Sequence, residues 1–264
     1  MRYIIDHDFH IHSNLSPCSG DPMQTPDNIL RYGEENGLTT LCITDHFWDE
    51  FVPGPSKDYA PLGYATISKA LPLPQGKNTK FLFGCETDLR EDLTLGISKE
   101  RMELMDFIVI PTTHMHMEGF TVRNGITVEE KSVAYIKRLH AVLDMDLPFH
   151  KVGIAHLAST CVADPGDLEQ VLNGISDEDY RACFKKAVEK GVGIEINRDD
   201  FLVAQRSEEL NKAILRPFKI AKEEGCKFYL GSDGHRPASL NTAIGAFNYA
   251  IDALGLTEDD KFHL

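Results

Sequence analysis

The feature that most constrains this fold is a pattern repeated along the chain: a short apolar run that ends in histidine, aspartate or glutamate. The first example lies near the start, where residues 3–8 lead into His10 and His12. Side chains two residues apart in a β-strand point to the same face, about 6.5–7 Å from one another. We therefore expect His10 and His12 to lie side by side at the carboxyl end of a strand, close enough to share one metal ion.

Seven runs of this kind are predicted to be buried parallel strands, because they are short and apolar on both faces. They cover residues 3–8, 40–44, 80–84, 107–111, 152–155, 193–196 and 227–231. Helical stretches alternate with them at residues 26–36, 127–143, 179–190, 208–224 and 239–254. Strand–helix units joined by right-handed crossovers imply a parallel sheet, and seven strands in a chain of this length favour closure into a barrel. The sequence thus predicts an α/β fold with residues 1–264 in a single domain.

Residues 47–79 interrupt this pattern. They contain five of the thirteen prolines and the only tryptophan, Trp48. A long irregular connection just past the end of a strand is often a lid or a substrate loop. Two interpretations stay open, a candidate lid and a passive insertion.

Composition restricts the partners and the compartment. A net charge of -14 argues against long nucleic acid as a partner, which requires a basic surface. It does not exclude a small anionic substrate, because bound cations reverse the local potential. The six cysteines are scattered without a C-x-x-C pair, which is typical of reduced thiols. No apolar run approaches the ~20 residues of a membrane span, and no signal peptide is recognisable, so we expect a cytoplasmic protein without a membrane partner.

Histidine or glutamate occurs at six of the seven predicted strand ends. In parallel barrels these ends gather the functional residues. A single histidine after a strand is usually structural, but packing does not explain so many, since polar groups buried without partners cost several kcal/mol. Imidazole and carboxylate are good ligands for divalent ions, so the pattern predicts a metal cluster. The histidines and the glutamate at these ends, with the aspartate beside the last of them, are His10, His12, His46, Glu86, His114, His116, His156, Asp233 and His235.

Several of these segments resemble the motifs of the PHP (polymerase and histidinol phosphatase) superfamily. Asp8-Phe9-His10-Ile11-His12-Ser13 is similar to its first motif and Ile43-Thr44-Asp45-His46 to its second. Gly84-Cys85-Glu86, His156 and Gly231-Ser232-Asp233-Gly234-His235 are similar to later motifs, in the family's order. The resemblance implies a distorted, TIM-like (β/α)7 barrel whose strands carry the metal site at their C-terminal ends. It also implies two or three divalent ions of zinc, iron or manganese, and hydrolysis of phosphate esters.

The resemblance further implies ligand sets for three ions. They are His10, His12, Glu86 and Asp233 for the first ion, Glu86, His114 and His156 for the second, and His46 with His235 for the third. Either histidine of the segment His114-Met115-His116 could be the ligand. His114 fits the family's offset better, and His116 would then contact substrate.

Cys18 stands where the family usually has another early ligand, histidine or aspartate. A thiolate binds zinc or iron, so Cys18 is a candidate metal ligand. Three other interpretations stay open: Asp21 reaches in from the same loop, the third metal is weak or absent, or Cys18 is only a small loop residue.

Two arginines are expected at the same end of the barrel as the metal site, namely Arg198 after the sixth strand and Arg236 after His235. A phosphate group requires planar bidentate donors as well as metals, so we expect both arginines to bind the substrate phosphate. The alternative is that they form surface ion pairs. Glu195 and Asn197 alternate on the sixth strand and are candidates for orienting the ligand histidines.

The function that follows is metal-dependent hydrolysis of a small-molecule phosphate monoester, as in histidinol phosphatases. Metal ions generate a bridging hydroxide near neutral pH, here held by Glu86, Asp233 and His235, and stabilise the phosphoryl charge. No protein nucleophile is required, and the chain contains neither a G-x-S-x-G elbow nor a G-x-x-x-x-G-K-[ST] loop.

Three alternatives stay open. The first is a phosphodiesterase or nuclease acting on nucleotides or short oligonucleotides. The second is a metallo-amidohydrolase, whose barrels also open with H-x-H; here a carboxylate bridge by Glu86 fits better, because no strand-end lysine is available for a bridging carbamate. The third is a metal-binding regulator without turnover.

Replacing a predicted ligand should remove metal without unfolding the protein. We expect the purified protein to contain more than one equivalent of zinc, iron or manganese, and His10→Ala or Asp233→Ala to lower that content. Elemental analysis measures the metal, and circular dichroism checks the fold. Unchanged metal content in both variants would contradict the ligand assignment.

Overall fold

The structure, a computed structural model, describes residues 1–264. Strands and helices alternate along most of the chain. The strands are β1 (His7–Ile11), β2 (Thr40–Ile43), β3 (His46–Phe47), β4 (Lys80–Phe83), β5 (Cys85–Thr87), β6 (Ile108–Pro111), β7 (Val152–Ala155), β8 (Gly193–Asn197) and β9 (Lys227–Gly231). The helices are α1 (Pro26–Glu35), α2 (Tyr64–Ile67), α3 (Lys99–Met102), α4 (Val128–Asp144), α5 (Pro165–Asn173), α6 (Asp177–Lys190), α7 (Arg198–Ala204), α8 (Glu208–Glu224) and α9 (Pro237–Leu254). No helix combines the length and the apolar composition that crossing a bilayer requires.

All strand ladders are parallel, as predicted, and they form two sheets. One has the order β1-β2-β4 and the other β3-β5-β6-β7-β8-β9. The nine strands correspond to the seven predicted ones, because β3 follows β2 after two residues and β5 follows β4 after Gly84. A Cβ at Gly84 would overlap the carbonyl oxygen of Phe107, so only glycine fits where this strand is interrupted.

Strand β1, at one edge of the first sheet, lies beside β9, at one edge of the second sheet. Here the Asp233 N–H donates to the His10 carbonyl (2.7 Å) and the His12 N–H donates to the Gly234 carbonyl (3.2 Å). The amide nitrogen of Gln24 bridges the same two segments, donating to the carbonyls of His12 (2.9 Å) and Gly234 (2.8 Å). A continuous ladder is absent, because the Ser232 N–H donates to the Asp8 carboxylate instead of a backbone carbonyl. The barrel-like arrangement is therefore present, but the ring of strands is not closed by ladders alone.

The first strand differs from its prediction. It covers His7–Ile11 rather than residues 3–8, because the start of the chain pairs with the end of the chain instead. The Tyr3 N–H donates to the Leu256 carbonyl (3.1 Å), and the Tyr3 hydroxyl donates to the Phe228 carbonyl (2.7 Å). His10 consequently lies inside the strand.

A bulge lets neighbouring residues of β1 face the barrel interior together. The register of β1 against β2 shifts between Asp8 and Ile11. Phe9 packs in a buried cluster drawn from six strands and the last residues of the chain, while His10 turns toward the strand ends. Bulges of this kind re-aim side chains next to functional sites. The cluster contains Phe9, Cys42, Leu82, Phe107, Val109, Ala155, Tyr229 and Phe262.

The helix boundaries agree closely with the predicted ones where a cap is present. Helix α1 begins at Pro26 after Thr25, whose side chain accepts from the Asn28 N–H, as expected for an N-cap followed by proline. Helices α5 and α7 were not predicted. Helix α7 follows β8 without a loop, because Asn197 ends the strand and also caps the helix by accepting from the Asp199 N–H.

Arg138 of α4 ties together the loops that follow β5 and β6. It is buried, and its guanidinium donates to four backbone carbonyls, those of Thr112 (2.6 Å), Thr121 (2.6 Å), Leu89 (2.7 Å) and Arg90 (3.2 Å). Burial lowers the pKa of Arg138 to about 10, so the group stays charged at neutral pH. One buried guanidinium therefore fixes the loops that follow β5 and β6.

Loss of this guanidinium should destabilise the fold strongly. We expect Arg138→Met to lower the free energy of unfolding by about 3 kcal/mol or more, because buried carbonyls lose charged donors. The matched control is Lys137→Met, on the exposed side of the same helix, for which a change within about 0.5 kcal/mol is expected. Urea unfolding followed by circular dichroism measures both, and equal effects would contradict this role.

Candidate metal centre

A single buried carboxylate, that of Glu86 on β5, lies at the centre of the predicted histidine cluster. Its oxygens approach five imidazoles contributed by the ends of different strands. The distances are 2.8 Å to His46 Nδ1, 3.1 Å to His156 Nε2, 3.4 Å to His12 Nε2, 3.5 Å to His10 Nε2 and 3.7 Å to His114 Nε2. Segments far apart in the chain therefore do converge on one point.

Asp233 approaches the same point from beyond β9. Its Oδ1 lies 3.2 Å from His12 Nε2 and 3.3 Å from His235 Nδ1. Asp233 (φ 50°) and His156 (φ 61°) both adopt the left-handed backbone region. That conformation disfavours residues other than glycine, costs of order 1–3 kcal/mol and is concentrated at functional sites.

The carboxylates and imidazoles of the cluster shift one another's pKa values. Burial alone would raise the pKa of Glu86, but the facing His46 and His10 imidazoles outweigh it and hold the pKa well below its usual range. Burial would likewise lower the pKa of His10, but the carboxylates of Glu195, Glu86 and Asp233 raise it to about 10. A divalent ion bound at His10 would therefore compete with a proton for the same imidazole.

Two observations show that the cluster fits a cation. Glu86 Oε2 and Asp233 Oδ1 are buried and accept no hydrogen bond of acceptable geometry, a state that costs about 1–3 kcal/mol per group. In addition, His10 Nε2 and His12 Nε2 lie 3.1 Å apart and point at one another. A divalent ion between these atoms would give each of them a partner.

Most of the histidines are held by Nδ1, which leaves Nε2 available as a ligand atom. Nδ1 of His10 lies 2.6 Å from Glu195 and that of His114 lies 2.9 Å from Asp88. His12 contacts Ser16 Oγ (3.2 Å), and His235 contacts the Asp233 carbonyl (2.9 Å). Such contacts fix the tautomer and ring orientation of metal-binding histidines.

Glu195 on β8 connects three strands. Besides His10 it accepts from the His156 N–H (3.0 Å) and from the Asn197 amide (3.1 Å). Gly231 on β9 makes room for it, because a Cβ there would overlap the Glu195 carboxylate. Glu195 and Asn197 therefore contact the histidines that the sequence led us to expect.

The ligand atoms fall into overlapping groups, each within 4.8 Å. The groups are His10–His12–Glu86, His10–His156–Asp233, His12–His46–His235 and His114–His156–Cys161. They contain every predicted metal ligand except Cys18, and they extend the prediction by placing His12 near the third set and Cys161 near the second. Cys18 lies outside the groups but lines the same cavity as His46. Of the adjacent pair, His114 is buried in the cluster and His116 is exposed beside it.

Sequence reasoning missed three residues of this site. Asp88 holds His114 and could have been found, since it alternates with Glu86 along β5. Cys161 follows β7 by six residues, a distance at which strand periodicity gives no signal. Tyr59 donates to Asp88 and lies 3.1 Å from His46 Nδ1, and no local pattern distinguishes it within residues 47–79.

A cavity of about 370 Å³ opens beside the cluster. Its walls include Cys18, His46, His114, His116 and Tyr59. The region around Tyr59 is ordered by an aromatic cluster in which Trp48 and Tyr59 contact Phe120. Part of the irregular segment 47–79 thus forms one wall of the cavity.

The two predicted phosphate-binding arginines lie outside the walls of this cavity. Arg198 is buried and pairs with its neighbour Asp199 (2.7 Å), and its Nη1 has no partner. Arg236 is exposed at the N-cap of α9, next to His235. Their binding of phosphate stays a prediction.

In a comparison with known protein families, residues 8–199 match the PHP domain, the family that the sequence motifs resemble. This chain belongs to the PHP domain family. Curated relatives include a probable phosphatase of Thermoanaerobacter sp. strain X514, 26% identical over 263 residues, covering 98% of this chain and 89% of the relative. Another is a probable phosphatase of Clostridium novyi, 27% identical over 237 residues, covering 89% of this chain and 80% of the relative.

Solved structures of the same fold include two PHP-type proteins. Histidinol phosphate phosphatase from Lactococcus lactis, crystallised with zinc, L-histidinol and phosphate, aligns with a TM-score of 0.59 and 17% identity over 94% of each chain. A putative histidinol phosphatase from Listeria monocytogenes aligns with a TM-score of 0.59 and 14% identity, covering 91% of this chain and 99% of that one. These alignments confirm the predicted distorted TIM-like barrel fold.

Weakening the support of His10 should weaken metal binding. We expect Glu195→Gln to reduce metal affinity by about 10–100-fold, because one amide oxygen cannot replace two carboxylate oxygens toward His10 and His156. The matched control, Glu189→Gln on the exposed face of α6, should leave affinity unchanged. Competition with a chromophoric chelator measures both, and equal affinities would contradict the orienting role.

Proposed function

We propose that this protein is a metal-dependent phosphatase that hydrolyses a small phosphate monoester, as histidinol phosphatases do. The observation that carries the proposal is the pair of carboxylates of Glu86 and Asp233, each with one buried oxygen that accepts no hydrogen bond and faces the imidazoles. Such a donor set suits zinc, iron or manganese. The curated relatives named probable phosphatases support the same conclusion.

The ligand groups support two or three bound ions. His10, His12, Glu86 and Asp233 would hold the first, Glu86, His114 and His156 the second, and His46 with His235 the third, with Cys18 a candidate ligand beside His46. When bound, such ions polarise phosphoryl oxygens and activate water for in-line attack.

The protein's own contribution is positioning. Glu195, Ser16 and Asp88 fix the ring orientations of His10, His12 and His114. Glu86, Asp233 and His235 define the place where attack on phosphorus would occur. Because metal-activated water would supply the nucleophile, we infer that no side chain forms a covalent intermediate.

The cavity favours a small substrate. Its volume of about 370 Å³ is at the lower end of small-molecule sites, about 300–1,000 Å³. We infer that the ester's alcohol moiety occupies it, beside Tyr59 and the exposed His116, and that the segment around Tyr59 acts as a substrate loop. Arg236, exposed next to His235, is available to contact the phosphate, and the unpartnered Nη1 of Arg198 leaves that group a candidate as well.

Activity should depend on metal and on Asp233. We expect the metal-loaded protein to hydrolyse p-nitrophenyl phosphate faster than bis(p-nitrophenyl) phosphate, a chelator to abolish turnover, and Asp233→Asn to lower kcat/KM by at least about 100-fold. Loss of a residue that orients a metal ligand typically lowers activity about 10–100-fold, and loss of the ligand itself should lower it at least as much.

The control is Asp259→Asn, an exposed position far along the chain, which should retain full activity. Release of p-nitrophenol and of phosphate is followed in parallel, and a panel of phosphorylated metabolites including histidinol phosphate then ranks substrates. Preference for the diester would favour a phosphodiesterase instead. Inactivity of the fully metallated protein on both esters would contradict the proposal.

A further inference from the structure

Cys161 is held against the metal centre by its backbone. Its carbonyl accepts from the N–H groups of Met115 (2.8 Å) and His116 (3.1 Å). Its own N–H donates to Ser159 Oγ (3.1 Å). The loops after β6 and β7 are thus locked together, and the backbone of Cys161 is fixed next to His116.

The thiol faces nitrogen ligands instead of apolar atoms. Cys161 Sγ and ring nitrogens of His114 and His156 all lie within 4.8 Å of one another. Asp88 occupies His114 Nδ1, which leaves Nε2 free. His114 Nε2 and His156 Nε2 lie 3.7 Å and 3.1 Å from the same oxygen, Glu86 Oε1. The two imidazoles that face the Cys161 thiol therefore also face the Glu86 carboxylate. Together these residues offer one sulfur, two nitrogens and one oxygen, the number of donors that a tetrahedral zinc site uses.

The other cysteines show what a structural thiol looks like in this protein. Four of them, Cys42, Cys85, Cys183 and Cys226, are buried in the apolar core, where cysteine behaves as a small hydrophobe. Cys161 differs from these because it is partly exposed and its Sγ lies within 4.8 Å of ring nitrogens of His114 and His156. Packing alone does not account for such surroundings.

We propose that Cys161 is a thiolate ligand of the second metal site, together with His114, His156 and Glu86. The inference rests on the proposed function, since it concerns the same metal centre. Sulfur ligands select thiophilic ions, whereas Mn²⁺ and Mg²⁺ prefer oxygen. The second site is therefore a zinc-type site.

Cobalt spectroscopy separates this ligand from the other accessible thiol. Metal-free full-length protein, kept reduced with a phosphine, is titrated with Co²⁺ alone in two backgrounds, Cys18→Ser and Cys18→Ser/Cys161→Ser. We expect the single variant to show the near-ultraviolet thiolate-to-cobalt charge-transfer band, and the double variant to lose it while keeping the visible bands of bound Co²⁺. Cys226→Ser, added to Cys18→Ser, is the matched control and should keep the charge-transfer band.

A band that is absent from Cys18→Ser although Co²⁺ is bound, or that persists in the double variant, would overturn the role of Cys161 and leave the metal centre intact. Failure of the wild-type protein to bind Co²⁺ would instead overturn the metal centre itself. The two failures are therefore distinguishable without any activity measurement.

Metal selectivity provides a second measurement. Cys161→Asp replaces sulfur by oxygen, so equilibration with mixed Zn²⁺ and Mn²⁺ should shift the bound ratio toward Mn²⁺ by at least about tenfold relative to wild type, the lower end of the effect of perturbing a ligand's support. Elemental analysis of the dialysed protein gives the ratio. An unchanged ratio would contradict the proposed preference of the second site for Zn²⁺ over Mn²⁺.

Discussion

The structure depends on the burial of one carboxylate among imidazoles. Removing an ionised carboxylate from water costs several kcal/mol unless it is paired and hydrogen-bonded. Glu86 is fully buried, and five histidines from four segments of the chain lie around it. The unpartnered oxygens of Glu86 and Asp233 show that protons alone do not satisfy this arrangement. The polar groups of this cluster are therefore arranged to bind a cation.

The orientation of the cluster is built into the sheet. Glu195 on β8 reaches His10 of β1 and the backbone of His156 after β7, so the spacing of neighbouring strands sets the spacing of the ligands. Gly231 on β9 leaves the space that this carboxylate occupies. A change in strand register would therefore move the ligands as a group, because each ligand lies in a strand or within a few residues of a strand end.

Much of this could be predicted from the sequence, because strand ends combine two local signals. An apolar run gives the strand, and the next polar residue then has a known position in a parallel barrel. His10, Glu86, His156 and Asp233 were found in this way. The same logic could not locate Cys161 or Tyr59, since their positions depend on how loops fold back over the strand ends. It also misplaced the first strand, because the partner of Tyr3 is Leu256, at the opposite end of the chain.

The gap between β1 and β9 has a consequence for the whole molecule. Here side chains of Gln24 and Asp8 replace the missing ladder, and the candidate ligands His10 and His12 stand on one side of the gap with Asp233 on the other. An ion shared by these residues would link the two sides of this gap. Because anything that binds only the folded state adds to its stability, the heat resistance of this protein would rise and fall with the supply of metal.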